Sequence, residues 1–439
     1  MKNKWISIGK HIGVFALVWA VLYLALVAMC CIPNEALYDN MVKSALHYKD
    51  AQPYPHTDKN QALFAVQDNY ADSILLGIAW RMGAGNPFVS ALDTCYYDGE
   101  QISEGYGLYK TVTENVHANT DYTRYWHGMS LLVRPMHLFT DVSGIKNIGL
   151  VFVALLALGV LALLICRKHF KLAAAFLLSL LCIQIWHIRL SMEYQPPFIL
   201  GFLFCILFIL FERKGNEMLS LLSVISGACI AFFDFLTTET VTLVLPLLLV
   251  IALRASENRL GGFKENIGWL ARCAVSWMLS YGAMFLAKWA MASVATGESV
   301  FALALSSAAV RVEETALLAD ANLFTKLLYG VFSNFSVLFG SGARFSFPIL
   351  LTGFGISVMV LGSVLYLFRK PRADAAASLL FLVSSSVFLR YLVLHAHSYR
   401  HCFFTYRALI CFVFAVLAAL ALYTGKIQKQ KKQKRGHKA

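Results

Sequence analysis

Three short stretches of this chain carry side chains whose types and spacing can do chemistry. In the run Gln67, Asp68, Asn69, Tyr70, Ala71, Asp72, Ser73, the two carboxylates stand four apart, which places them on one face of a helix. Two such carboxylates can supply a general base or oxygen ligands for a hard divalent cation, Mg²⁺ or Mn²⁺. Acids in the first turn of a solvated helix have the same spacing and no chemistry. In the run from Asp121 to Gly128, Arg124 and His127 interleave with Tyr122, Tyr125 and Trp126. Such rings either line a membrane-interface belt or stack on sugar faces, and the guanidinium fork suits the oxygens of a phosphorylated lipid. In the third run, His395, His397, Ser398, Tyr399, Arg400 and His401 precede Phe403, Phe404 and Arg407. His397 and His401 have the spacing of two metal ligands on one helical turn, but the acid of a zinc-hydrolase HExxH motif is missing. With Arg400 and Arg407 they form a set of cationic donors suited to phosphate, or anchor a short turn at the membrane interface.

Polar groups within or at the ends of apolar segments add to these. Gln184, His187, Arg189, Glu193, Gln195, Asp234, Lys288 and Arg390 all occupy such positions, where an unpaired polar group is costly. Each can be a snorkelling or paired structural residue. Their convergence on one leaflet makes one site plausible, with Glu35, Tyr125, Trp126, Glu193, Asp234 and Lys288 expected to line it.

The elements that must position these residues are membrane helices. The chain has 439 residues, 58% hydrophobic and 14% charged, with a mean hydropathy of +0.62; soluble domains are about a quarter charged. The net charge of +13 resides in short clusters between apolar segments and at both ends, which is orientation charge and excludes a nucleic-acid-reading face. The ten cysteines are scattered, mostly in apolar segments, without the spacing of a disulfide framework or a zinc site. Apolar stretches of spanning length at 12–31, 146–166, 172–191, 196–211, 219–235, 239–253, 267–296, 346–368, 375–394 and 408–425 predict about ten spans. The first is long for a signal peptide and lacks a cleavage site, so it is expected to stay as a span. Basic clusters on every second connection put both termini in the cytoplasm.

The expected organisation is a cytoplasmic N-terminus and first span (1–31), an extracytoplasmic domain (32–145), spans two to seven (146–297), an outer loop with an interfacial or re-entrant helix (298–345), spans eight to ten (346–425) and a basic tail (426–439). Within the domain, Tyr38, Met41 and Ala45, then Leu63, Val66 and Tyr70, then Ile74 and Ile78, recur at helical spacing. They predict amphipathic helices lying along the membrane surface, punctuated by Pro and Gly.

The run Asp68, Asn69, Tyr70, Ala71, Asp72, followed by a helix and the turn Gly83 to Pro87, resembles the acidic motif in the first outward loop of the GT-C superfamily of membrane glycosyltransferases. The Arg-Tyr-Trp-His-Gly and His-Ser-Tyr-Arg-His runs are similar to those of multi-span membrane proteins from Gram-positive bacteria associated with that superfamily. The likeness covers the first 240 residues in layout. The motif lies further from the first span than is usual there, which keeps Glu35 and Asp39 as rival acids, and Asn69 replaces the second acid, which leaves metal dependence open.

The resemblance implies a GT-C-like all-α polytopic membrane protein of the plasma membrane. It also implies transfer of a sugar from a polyprenyl-phosphate donor to a cell-envelope glycan or lipid acceptor at the outer face. Asp68 then serves as general base, and Arg124, His127, His397, Arg400, His401 and Arg407 face the leaving phosphate. A transporter or flippase of lipid-linked precursors, or a non-catalytic membrane scaffold, are the alternatives.

Overall fold

The computed structural model describes residues 2–99, 102–313, 322–339 and 375–436, with a few isolated positions between 358 and 369. Nearly all regular structure is helical. Seven helices among the described residues are long and apolar enough to cross a membrane: Trp5–Cys30, Val142–Cys166, Met192–Lys214, Asn216–Phe233, Phe263–Thr296, Ala376–Val393 and Cys402–Tyr423. Their outward faces carry rows of bare apolar side chains, Leu17, Val21 and Leu24 on the first and Val151, Leu155 and Leu158 on the second. Water would penalise such surface, whereas hydrocarbon does not. The chain is an all-α polytopic membrane protein.

The expected spans at 172–191 and 239–253 correspond to shorter helices, Phe170–Cys182 and Val241–Ser256. The first stops early because Gln184 takes a left-handed conformation (φ 46°) and a 3₁₀ segment, Ile185–Leu190, follows. Apart from isolated positions, the expected span 346–368 and the basic cluster at 369–372 lie outside the described residues, as do 314–321 and 340–345 of the expected outer loop. Within that loop the helix Leu323–Leu338 buries Phe332, Asn334 and Phe335. The helix Phe263–Thr296 has 34 residues, about 51 Å at 1.5 Å per residue. It therefore outreaches a hydrocarbon layer about 30 Å thick.

Between the first two spans the chain forms a helical domain. The helices Asn34–Tyr48, Asn69–Arg81, Glu104–Thr113 and Ser130–Met136 pack around Leu37, Met41, Ala45, Leu75, Leu76, Leu108, Val112 and Val133. Met192 and Phe235, from beyond the second span, join the same cluster. Of the helices expected along the membrane surface, Asn69–Arg81 is buried along most of its length, wrapped by neighbours on several sides. The Leu63, Val66, Tyr70 spacing is not helical. Leu63–Ala65 is a single 3₁₀ turn, and Val66 pairs with His56 in an isolated bridge. A two-stranded antiparallel ribbon, Cys95–Tyr96 with Thr120–Asp121, pairs Cys95 with Asp121 and Tyr96 with Thr120.

Arg134 clips this domain to the first span. Its buried guanidinium donates to the carbonyls of Met29, Ile32 and Ala79 and to Asn34 Oδ1, so the ends of two helices share one donor fork. Gly83 sits against it, where a Cβ would collide with Asn34 Oδ1 and the Arg134 guanidinium.

At the face of the helical layer opposite this domain, Glu212 is buried among Arg167 (3.3 Å), Arg213 (3.4 Å), Arg254 (3.6 Å) and Arg259 (2.6 Å). Glu257 joins Arg213, Arg259 and His169. The basic clusters that the sequence assigns to one side therefore meet at one surface.

Candidate functional site

On the domain side, a cavity of about 510 Å³ opens between the helical domain and the ends of later helices, within the range typical of ligand sites. Asp68, Arg124, Glu193, His397, Arg400 and His401 all line it.

Asp68 reaches it because it is the N-cap of the helix Asn69–Arg81, its Oδ1 accepting from the Ala71 N–H at 2.9 Å. Asp is among the best N-cap residues because its oxygen satisfies an otherwise orphaned amide. The side chain is 3% exposed. Burial, with a smaller contribution from nearby Asp72, raises its pKa to about 7, against the opposing pull of the Ala71 amide and Lys146.

Asp72 is one turn on but does not line the cavity. Its carboxylate is fully buried and accepts from Tyr48 OH (2.9 Å), Ser191 Oγ (2.8 Å) and the Met192 amide (2.8 Å), and it pairs with Lys146 Nζ at 2.6 Å. The shared helical face holds, but a neighbour covers its second position. The expected catalytic role for Asp72 is corrected to a structural one. It fixes the turn Met192–Tyr194, and with it Glu193, against the domain. Asp68 and Asp72 therefore do not face the cavity together, and among the described residues no three His, Cys, Asp or Glu side chains gather as a metal site.

The aromatic run divides. The Arg124 guanidinium lies over the Tyr122 ring at 4.1 Å and beside Tyr125 at 5.3 Å, a cation–π arrangement. Its carbonyl accepts from Trp289 Nε1 at 2.9 Å. Tyr125 and Trp126, expected to line the site, are buried in the core instead. Tyr125 packs on Phe235 and Phe285, and Trp126 donates to the Met284 carbonyl at 2.8 Å. His127 is also corrected: it sits buried at φ 53°, its Nε2 3.0 Å from the Tyr122 carbonyl. Burial lowers its pKa to about 3, so it carries no charge for a phosphate. The following Gly128 is required, because a Cβ there would run into the Phe232 ring and carbonyl.

In the third run the short helix His395–Arg400 presents His397 and Arg400 to the cavity, and His401 follows it with its ring 4.7 Å from that of His397. Arg390 holds this corner. It pairs with Glu239 at 3.1 Å and donates to Ser398 Oγ (3.0 Å) and to the carbonyls of Thr237 (3.2 Å) and Leu236. One fork therefore ties His395–Arg400 to the segment carrying Phe235. Arg407 points away from the cavity. It is 1% exposed and donates to the Phe64 and Phe403 carbonyls, both at 3.2 Å, between the rings of Tyr194 and Tyr406. Its expected phosphate contact is corrected to a packing role.

Three further expected lining residues lie elsewhere. Glu35 is exposed in the first turn of Asn34–Tyr48, as is Asp39 on the same helix. Asp234 accepts from the Thr237 amide at 3.0 Å and from its hydroxyl, closing its own turn. Lys288 is buried and donates to the Leu92 carbonyl at 2.8 Å. Asp234 is taken up by its own turn and Lys288 by a carbonyl 196 positions away, partners that the sequence does not reveal.

The cavity also takes Tyr54, Tyr70, Tyr96, Asp121, Tyr122, Phe235 and Phe404. Tyr96 and Asp121 arrive through the ribbon, whose pairing closes a loop between two segments far apart in sequence. The neighbouring Tyr and Asp residues at 96–98 and 121–122 were the signal available for them. The arrangement sets a buried carboxylate of near-neutral pKa and the guanidinium groups of Arg124 and Arg400 around one space, a combination that can accept a proton and stabilise an anion. Comparison of the chain with protein-family models, with characterised proteins and with solved structures returned no match.

Proposed function

We propose that this chain is a sugar transferase of the GT-C type in the plasma membrane, with ten spans and both termini in the cytoplasm. It moves a sugar from a polyprenyl-phosphate carrier to an acceptor at the outer face. The observation that carries this reading is the meeting of Asp68 with Arg124, His397, Arg400 and His401 at one cavity. Transfer needs a base for the acceptor hydroxyl and cations for the departing phosphate, and these residues supply both. Asp68 accepts the hydroxyl proton as the acceptor oxygen bonds to the anomeric carbon. The bond from that carbon to the phosphate oxygen breaks on the opposite face, and the electron pair leaves with the polyprenyl phosphate. Arg124 and Arg400 stabilise the charge that collects there. The configuration at carbon is inverted, since one displacement occurs.

Support for the orientation comes from the Arg-rich surface around Glu212, which the positive-inside rule assigns to the cytoplasm. The test is transfer from a radiolabelled polyprenyl-phosphate sugar by the purified chain in lipid nanodiscs. Transfer that falls at least a hundredfold in Asp68→Asn, with the fold retained, supports the reading. Transfer at the wild-type rate in that variant removes Asp68 from the role. Movement of labelled lipid across vesicles without donor consumption replaces the transferase with a transporter.

A further inference from the structure

The cavity has two unlike walls. One carries His397, Arg400 and His401, beside Phe404. The other, contributed by the helical domain, is a tier of tyrosines. Tyr54 stacks on Tyr70 with ring centroids 5.9 Å apart and planes at 23°. Tyr70 and Tyr96 both line the cavity. Tyr96 meets Tyr122 edge-on at 6.0 Å, and the Arg124 guanidinium caps the tier over Tyr122. Asp68 and Asp121 lie beside these rings, and Glu193 joins them in the lining.

Ring faces bordered by carboxylates recognise a particular chemistry. The C–H faces of a pyranose pack on aromatic rings, and its hydroxyls donate to carboxylate oxygens. A lipid phosphate without a sugar has no flat apolar face to offer such a tier. An anionic glycan would be repelled by Asp68, Asp121 and Glu193 and drawn to the opposite wall. The tier also runs from the exposed Tyr54, 41% accessible, inward past Asp68, so a chain of sugar units can extend outward from the cavity.

We infer that the acceptor is an uncharged saccharide of at least two units, seated along Tyr54, Tyr70, Tyr96 and Tyr122 with its reacting hydroxyl toward Asp68. This rests on the transferase reading for the identity of the bound glycan as acceptor, but the saccharide site itself stands without it. Tyr54 is the outer clamp and Tyr96 the inner one.

The experiment measures saccharide binding without any donor. The full chain in nanodiscs is titrated calorimetrically with N,N′-diacetylchitobiose, maltotriose and digalacturonate, for the wild type, Tyr54→Ala, Tyr54→Phe and the control Glu35→Gln. The expected result is saturable binding of at least one neutral glycan and none of digalacturonate. Tyr54→Ala should weaken it about tenfold, as the loss of one aromatic contact implies, Tyr54→Phe, which keeps the ring, should bind more tightly than Tyr54→Ala, and Glu35→Gln should leave binding unchanged. Absence of saturable binding by both neutral glycans, equal binding by Tyr54→Ala, or a preference for digalacturonate overturns the inference. Neutral-glycan binding that depends on Tyr54 while no donor is consumed retains the saccharide site and removes only the transferase reading.

Discussion

Asp72 and Lys146 form a buried ion pair at 2.6 Å that joins the helical domain to the start of the second long span. The carboxylate is completed by Tyr48, Ser191 and the Met192 amide, so three parts of the chain share one charge. A buried pair of this kind is well satisfied only while every donor stays. Lys146→Met should therefore destabilise the protein by about 3–5 kcal/mol, read as a lowered midpoint of thermal unfolding in detergent. The double variant Lys146→Met, Asp72→Leu should recover part of that loss, because no uncompensated charge then remains buried. A double variant less stable than Lys146→Met would show that the charges act separately.

The raised pKa of Asp68, about 7, fixes the sign of a pH effect. The folded protein holds this carboxyl protonated below that value, and a base must be ionised to accept a proton. Transfer activity should rise with pH through an apparent pKa near 7, and this ascending limb should be absent from the residual activity of Asp68→Asn. For stability the sign is opposite. Burial of the ionised form is the cost, nothing is lost below the ordinary carboxylate range, and stability declines as pH rises from about 4 toward 7. Asp68→Asn keeps an N-cap acceptor for Ala71 and should melt at or above the wild-type temperature at pH 8. A lower melting temperature there would contradict a desolvation cost at this site.

Arg400 and Arg407 are seven residues apart and separate cleanly by experiment. Arg400 is exposed at the cavity, whereas Arg407 is buried between Tyr194 and Tyr406. Arg400→Gln should reduce transfer at least tenfold with little change in unfolding temperature. Arg407→Gln should lower stability by about 2–4 kcal/mol through lost packing and carbonyl contacts. Differential scanning fluorimetry beside the transfer assay decides, and equal stability losses in the two would contradict the geometry.

Arg390 depends on its fork, not its charge. Lysine cannot reach Glu239, Ser398 and the Thr237 carbonyl at once. Arg390→Lys is expected to cost about 1–3 kcal/mol and to increase proteolysis near 395–401. A variant as protease-resistant as the wild type would show that the corner is held by other contacts.

Gly128→Ala places a methyl against the Phe232 ring and carbonyl, and backbone cannot yield as a flexible side chain does. The Gly128 amide also donates to that carbonyl at 3.0 Å. A loss of about 1–3 kcal/mol follows from overpacking alone, measured as reduced folded yield and melting temperature. Unchanged stability would mean that the segment around Phe232 moves freely, against its buried setting.

The amino-acid sequence by itself determined the solvent this protein folds in and the order of its parts. Apolar length and clustered basic charge are local properties, summed along the chain, so hydropathy finds the long helices and the domain between the first two. The same locality placed Asp68 at a helix start, since a capping acid before an apolar helix is a short-range signal. What the sequence could not determine was which member of each motif meets the cavity. Asp68 and Asp72 share a face, yet Lys146, Tyr48 and Ser191 cover the second. Arg124 and His127 stand three apart, yet a positive φ at His127 turns it into the core. Arg400 and Arg407 are alike in type, yet Arg400 lines the cavity while Arg407 is buried between Tyr194 and Tyr406. Partners 24 and 343 positions away settle the cases of Asp72 and Arg407, and a buried polar group goes where such partners satisfy it. Only the tertiary structure decides that, because satisfaction depends on what is near in space and not on what is near in sequence.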